Sequence, residues 1–192
     1  MRAIVGAIRA GALDADARIV VSNKAEAPAL EFAKSNEIQC LRISTLREPM
    51  KADVALAAAL LGAGIDLVIL SGYLRRLGPI TLEAYEGRIL NIHPGPLPTF
   101  GGEGMYGRRV HEAVIASGVA ETEICVHVVD EDYDHGPVIA RRSLPVVPGE
   151  TAEDLERRVT AAEPALFVET LREIAAGRLV LPSPAARATS PP

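Results

Sequence analysis

The stretch ILNIHPGPLP, residues 89–98, decides how the chain is read. Its opening apolar run has the length and make-up of a short parallel strand. Side chains alternate along a strand, so Asn91 and His93 face one way and Ile92 the other. Pro94, Pro96 and Pro98 forbid the strand from continuing and stiffen its exit. Two polar groups are thereby held side by side at a strand's carboxyl end, where open α/β sheets bind their ligands.

Outward from that stretch, segments of helical and strand character alternate. RAIVGAIRAGAL reads as a helix with Gly11 near its end, and ARIVVSN, residues 17–23, as a buried strand. APALEFAKS (helix), IQCLRI (strand) and DVALAAALLGAG (helix) follow. DLVILSG, residues 66–72, is the most apolar strand, with Leu67, Val68 and Ile69 expected in the core. ITLEAY is a short helix before the opening strand, and GRRVHEAVIASG an amphipathic one after it. EICVHVVD and PVIARRSLPV read as strands around the acidic loop EDYDHG. In the last helix Thr151 and Asp154 have capping-box spacing, and Pro164 is expected to kink or divide it.

This order predicts an α/β fold: an open, mostly parallel sheet flanked by helices, in one domain over residues 1–180. LPSPAARATSPP, residues 181–192, is expected to be a disordered tail. One feature is unusual: the chain opens on a helix. In such folds the first strand sits mid-sheet and its following loop binds phosphate. Here there is no strand before Arg2 and no glycine-rich loop.

Composition narrows the function classes. The chain has 192 residues, 48% of them hydrophobic, enough for a real core. Aromatics make up 4% and Trp is absent, so that core is aliphatic. A net charge of −5 without a basic block argues against nucleic acid as a partner but leaves small anionic ligands open. Cys40 and Cys125 lack metal spacing and read as structural thiols in a reduced cytoplasmic setting. No apolar run reaches membrane-span length, and the start lacks the order of a secretory signal.

Three residues carry the chemical reading. Asn91 can donate to an oxyanion, and His93 can donate and carry charge near neutral pH. Asp134, in the acidic loop, can orient that histidine and move a proton. The set suits attack on a carbonyl, with no Ser or Cys nucleophile needed if the acceptor is an amine. The plainer alternatives are a strand-end hydrogen-bond pair and a turn residue. His127 is open between a site role and a core histidine, His111 between helix surface and second layer, and His135 reads as an exposed loop residue. A metal set from His93, His127, Asp134 and His135 is set aside, because its only close pair points two ways.

With those residues in place, a resemblance becomes specific. SNKAEAPALEFAK, LSGYLRRLGP, RILNIHPGPLP, VHEAVIASG, VHVVDEDYDHGPVI and EDLERRV occur in order across about residues 1–180. Together they resemble the phosphoribosylglycinamide formyltransferases, folate-dependent enzymes of purine synthesis within the wider formyltransferase superfamily. NIHP with a D-x-G-P loop is shared by the superfamily. SNKA favours the glycinamide ribonucleotide branch, and GGEGMYG, residues 101–107, looks like a loop variant within it.

The resemblance implies the following roles. Asn91 and His93 polarise the formyl oxygen of 10-formyltetrahydrofolate, and Asp134 holds His93 charged while relaying the proton of the attacking amine. That amine belongs to glycinamide ribonucleotide. The pterin lies against Leu70, Tyr73, Leu74, Arg75 and Leu77, and against the loop Asp130, Glu131, Asp132, Tyr133. Arg75 matches the folate position better than Arg76, Glu163 helps hold the substrate, and His127 supports the site from behind. It implies no metal, no nucleic acid and no membrane, and leaves a homodimer open.

The departures are as informative. The family has a first strand and a G-x-G-S-N loop that cradles phosphate, and this chain has neither. The missing piece is a strand of roughly 5–6 residues and a short loop. Met1 is therefore expected to be an internal methionine of a longer protein, the alternative being a truncated paralogue. His135 stands where glycine is common, and Pro164 where His is common. Competing activities are hydrolysis of formyltetrahydrofolate, formylation of another amine, and folate binding without turnover. The hydrolase branch usually has a second His where Pro94 stands, and the tRNA enzyme a basic C-terminal barrel.

Overall fold

Proline and glycine punctuate this chain. The computed structural model describes residues 1–182. Pro28, Pro49 and Pro79 sit in the first turns of α2 (Pro28–Ser35), α3 (Pro49–Gly62) and α4 (Pro79–Ala84), where a missing N–H costs nothing. Gly118 closes α5 (Arg108–Ser117) in the left-handed conformation at φ 69°. Thr151 and Asp154 cap each other at the start of α6 (Ala152–Ala175). Pro164 lies inside α6 and does not divide it. α1 (Arg2–Arg9) completes the helices.

The strands are β1 (Ile19–Ser22), β2 (Gln39–Arg42), β3 (Val68–Ile69), β4 (Ile89–His93), β5 (Glu121–Val128) and β6 (Val138–Pro145). β1 and β2 are parallel, as are β3 and β4. β5 runs antiparallel between β4 and β6, so a hairpin closes that edge. The α/β fold with flanking helices is the one expected. The sheet, however, is in two pieces, β1–β2 and β3–β4–β5–β6. Among the described residues, β1 and β3 each present an unpaired edge.

This break corrects two expectations. The 17–23 segment is not a buried strand: all four residues of β1 are half-buried. The most apolar segment, 66–72, contributes only two strand residues, and Leu67, Val68 and Ile69 are half-buried as well. A parallel strand reads as a continuous apolar run because it is covered by neighbours on all sides. Among the described residues β1 and β3 are each paired on one edge only, and the run is left partly open.

The main core lies between the four-stranded sheet and α1, α5 and α6. It gathers Leu90, Val114, Ile124, Val126, Leu155, Val159 and Phe167. Leu181, assigned by sequence to the tail, packs against this core; residues 183–192 of that expected tail lie outside the described residues. A smaller core of Leu60, Tyr85 and Ile89 fills the other face under α3 and α4. Asp53 is buried there and is satisfied by the N–H groups of Ile80 and Thr81 and by the Thr81 hydroxyl. Among the described residues, no helix is long and apolar enough to cross a membrane.

Candidate active site

The carboxyl end of β4 and the turn after β5 meet at one point. β4 and β5 pair antiparallel, with Asn91 opposite His127 and His93 opposite Cys125. That register places Asn91, His93 and His127 on one face. His93 is 3% exposed and His127 is 2% exposed. Asp134 reaches the same point from the loop after β5. It adopts φ 54°, a left-handed conformation uncommon outside glycine and concentrated at functional sites.

Asp134 bridges both histidines. One carboxylate oxygen lies 3.4 Å from His93 Nδ1, the other 3.4 Å from His127 Nε2. The Gly102 N–H donates to the same carboxylate at 3.2 Å. Burial by itself pushes the Asp134 pKa up. The contacts with His127 and His93 and the Gly102 N–H outweigh it and hold the group well below the usual carboxylate range. Asp134 is therefore a fixed negative charge between two imidazoles.

The second nitrogen of each ring is also engaged. His93 Nε2 donates to the Phe100 carbonyl at 2.8 Å, and His127 Nδ1 donates to the Val128 carbonyl at 3.1 Å. His93 thus stands between a carbonyl and a carboxylate, and only the doubly protonated ring donates to both. Asn91 Nδ2 lies 3.1 Å from His127 Nε2, the same nitrogen that faces Asp134. An amide carries two N–H groups, so one remains to be offered elsewhere.

Glycine makes this closeness affordable. A Cβ at Gly136 would run into the Val128 carbonyl, so the chain after Asp134 can fold back only without a side chain. A Cβ at Gly101 would collide with Leu97 and crowd Asp134. The stiff proline run therefore hands over to Gly101 and Gly102, and these wrap over His93 and Asp134.

The structure brings Asn91, His93, Asp134 and His127 together, and His127 is a full member of the cluster. Glu163, on α6, lies half-buried near His93, and burial pushes its pKa up. His111 is buried on α5, not on the helix surface. His135 is mostly exposed and points away, 2.9 Å from Asp130.

The expected folate residues divide. Leu70, Tyr73 and Leu77 line a cavity of about 1420 Å³ between β1 and β3, and Leu74 and Arg75 point to solvent. That cavity does not include Asn91, His93 or Asp134 in its walls. In the acidic loop, Asp130 is half-buried and Glu131 exposed. Arg76, rather than Arg75, reaches that loop: it pairs with Asp132 at 3.2 Å and lies 5.0 Å over the Tyr133 ring. Sequence reasoning ranked Arg76 below Arg75 and missed the Phe100 carbonyl and the Gly102 N–H. Only the Gly-Gly step after the prolines hinted at the last two.

Residues 1–171 match the family model described as formyl transferase. The chain belongs to the formyl transferase family. Among its relatives is the chloroplastic phosphoribosylglycinamide formyltransferase of Vigna unguiculata, 38% identical over 93% of this chain and 58% of that protein. The chain thus spans less than two thirds of that plant relative. The phosphoribosylglycinamide formyltransferase of Escherichia coli is 33% identical over 93% of this chain and 83% of that protein. The crystal structure of glycinamide ribonucleotide transformylase 1 from Geobacillus kaustophilus superposes with a TM-score of 0.82, at 39% identity and 91% coverage of each chain. A formyl transferase fold accounts for a polar cluster at the carboxyl end of β4, where parallel strands deliver their ligand-binding groups.

Proposed function

We propose that this protein transfers the formyl group of 10-formyltetrahydrofolate to the amine of glycinamide ribonucleotide, a step of de novo purine biosynthesis in the cytoplasm. The observation that carries the reading is the Asn91–His127–Asp134–His93 cluster, two buried imidazoles tied to one carboxylate. Kinship with phosphoribosylglycinamide formyltransferases supplies the substrates.

In this reading the amine of glycinamide ribonucleotide attacks the formyl carbon directly. Negative charge develops on the formyl oxygen. The uncommitted N–H of Asn91 and a ring N–H of His93 receive it. His93 now spends its Nε2 proton on the Phe100 carbonyl, a bond that can be exchanged for the oxyanion when substrate arrives. Asp134 keeps His93 charged and takes part in moving the amine proton to the departing folate nitrogen. Glu163 faces the substrate amine or ribose, and His127 fixes Asn91 and Asp134 in place. The pterin is held by Leu70, Tyr73 and Leu77 on one side and the 130–133 loop on the other. This chemistry calls for no metal.

The test is loss of 10-formyltetrahydrofolate, followed by absorbance, with and without glycinamide ribonucleotide. Turnover only with the nucleotide is the expected result. Turnover with water alone would make the protein a hydrolase. Folate binding with no turnover in a folded sample would make it a binding module, a reading favoured by the open cavity between β1 and β3.

A further inference from the structure

His93, Cys125 and Arg141 stand in one row across the sheet. Cys125 of β5 pairs with His93 of β4 on one side and with Arg141 of β6 on the other. Directly opposed residues share a face, so the Arg141 side chain leaves the sheet on the face of His93 and Asn91. The formyl-transfer chemistry uses His93 and gives the other two no task. Cys125 is fully buried, and the Leu97 backbone stands against its thiol. Arg141 reaches from β6 to the proline run. Its guanidinium donates to the Glu123 carboxylate at 2.7 Å and to the Leu97 carbonyl at 3.4 Å. A planar fork of donors holds two acceptors in fixed relation.

Leu97 is the fixed point of the loop that covers the site. Its side chain is buried, and Gly101 packs so closely on it that a Cβ there would collide. Between the two, the Phe100 N–H donates to the Pro96 carbonyl and the Gly101 N–H to the Pro98 carbonyl. These turns end in the two groups that hold the reactive cluster. The Phe100 carbonyl accepts from His93 Nε2 at 2.8 Å, and the Gly102 N–H donates to Asp134 at 3.2 Å. A displacement of Leu97 is therefore passed to both ends of the His93–Asp134 pair. The Arg141 and Glu123 side chains are 47% and 29% exposed, so their ion pair adds little to stability. Its consequence is geometric.

We propose that Arg141, braced by Glu123, is a positioning residue: it anchors the Leu97 carbonyl and so sets where the Phe100 carbonyl meets His93 and the Gly102 N–H meets Asp134. Its effect on rate rests on the formyl-transfer reading; its effect on the His93 ring does not. Without the anchor the Phe100 carbonyl drifts from His93 Nε2, and the ring loses one of the two acceptors that fix its plane. The donor aimed at the oxyanion is then misplaced, and about 1 Å of misplacement can cost roughly 10² in rate. The walls formed by Leu70, Tyr73 and Leu77 are on another part of the molecule, so the loss falls on kcat and not on KM.

The experiment compares the full chain with Arg141→Met, which keeps the side chain's bulk and removes its donors. Arg142→Met is the control, since the next residue of β6 pairs instead with Glu169 on α6. NMR reads the exchange rate of the His93 ring Nε2 proton, assigned by its loss in His93→Ala, beside kcat, KM and Tm. In Arg141→Met the ring proton is expected to exchange at least tenfold faster and kcat to fall at least tenfold, with KM within twofold. Arg142→Met should change none of these. Unchanged ring-proton exchange in Arg141→Met overturns the proposal even where Tm or kcat falls, because a merely structural residue would do that much. Faster exchange with full kcat, or an equal effect from Arg142→Met, overturns it as well. A parent protein without turnover sinks the formyl-transfer reading alone, and the ring-proton exchange still decides the proposal. Should Arg141→Met fail to fold, Glu123→Gln, which leaves Arg141 unbraced, takes its place. At least threefold faster exchange is then expected, and no change overturns the proposal.

Discussion

His93 Nδ1 lies 3.4 Å from the Asp134 carboxylate, and the two side chains are 3% and 11% exposed. A pair so far out of water interacts far more strongly than a surface ion pair, and losing one partner strands the other. Asp134 is shared with His127, so three ionisable groups act as one unit. The first expectation concerns that unit. Asn91→Ala and His93→Ala should each lower kcat by about 10²–10³, the usual loss for one oxyanion donor. The β4 core residues Ile89 and Leu90 are untouched, so circular dichroism should stay unchanged. Near-normal turnover in either variant would remove that residue from the chemistry.

Asp134 also sets an acid limit on stability. Its folded pKa is depressed, so the unfolded chain binds more protons in the window below the ordinary carboxylate value. Its contribution is complete above that value and is lost as pH falls toward the lowered one. Asp134→Asn should therefore flatten the fall in Tm between about pH 5 and pH 3, set by unperturbed carboxylates near 4, while crippling turnover. A Tm profile parallel to that of the parent would show that the carboxylate is not held by the histidines.

Glu163 has the opposite sign. Burial raises its folded pKa, so its contribution is fully present below the unfolded value and is lost as pH rises through the raised one. Glu163→Gln should melt higher than the parent at neutral pH, with the difference shrinking in acid. Thermal melts at the two pH values check this, and a constant difference would contradict it.

Gly136 tests the loop geometry. Gly136→Ala drives a Cβ into the Val128 carbonyl, a backbone atom that cannot swing aside. A destabilisation of about 1–3 kcal/mol is expected from overpacking, with Asp134 displaced and turnover reduced. Urea unfolding measures the first effect. A stability equal to that of the parent would show that the loop has room.

Arg76 tests the clasp between two loops. Its ion pair with Asp132 is more than half exposed on both sides, so its loss should cost below about 1 kcal/mol of stability. The 130–135 loop nonetheless loses its tie to the segment after β3. Arg76→Ala should raise KM for the folate several-fold with kcat nearly unchanged. A fall in kcat with constant KM would place Arg76 in the chemistry instead.

The sequence alone determined what depends on local order. Strand-to-proline punctuation put Asn91 and His93 side by side, and D-x-G-P placed Asp134 in a turn, because alternation and proline stereochemistry act within a few residues. The capping box at Thr151 was equally legible. Only the tertiary structure decided what depends on residues distant in the chain. It made His127 a partner of both Asn91 and Asp134, through a β4–β5 register that no local pattern encodes. It buried His111, paired Arg76 with Asp132, and kept α6 continuous through Pro164. Above all it showed β1 and β3 half-buried despite their apolar sequences. Hydrophobicity states what a strand needs around it, and only packing determines whether a neighbour is there to supply it.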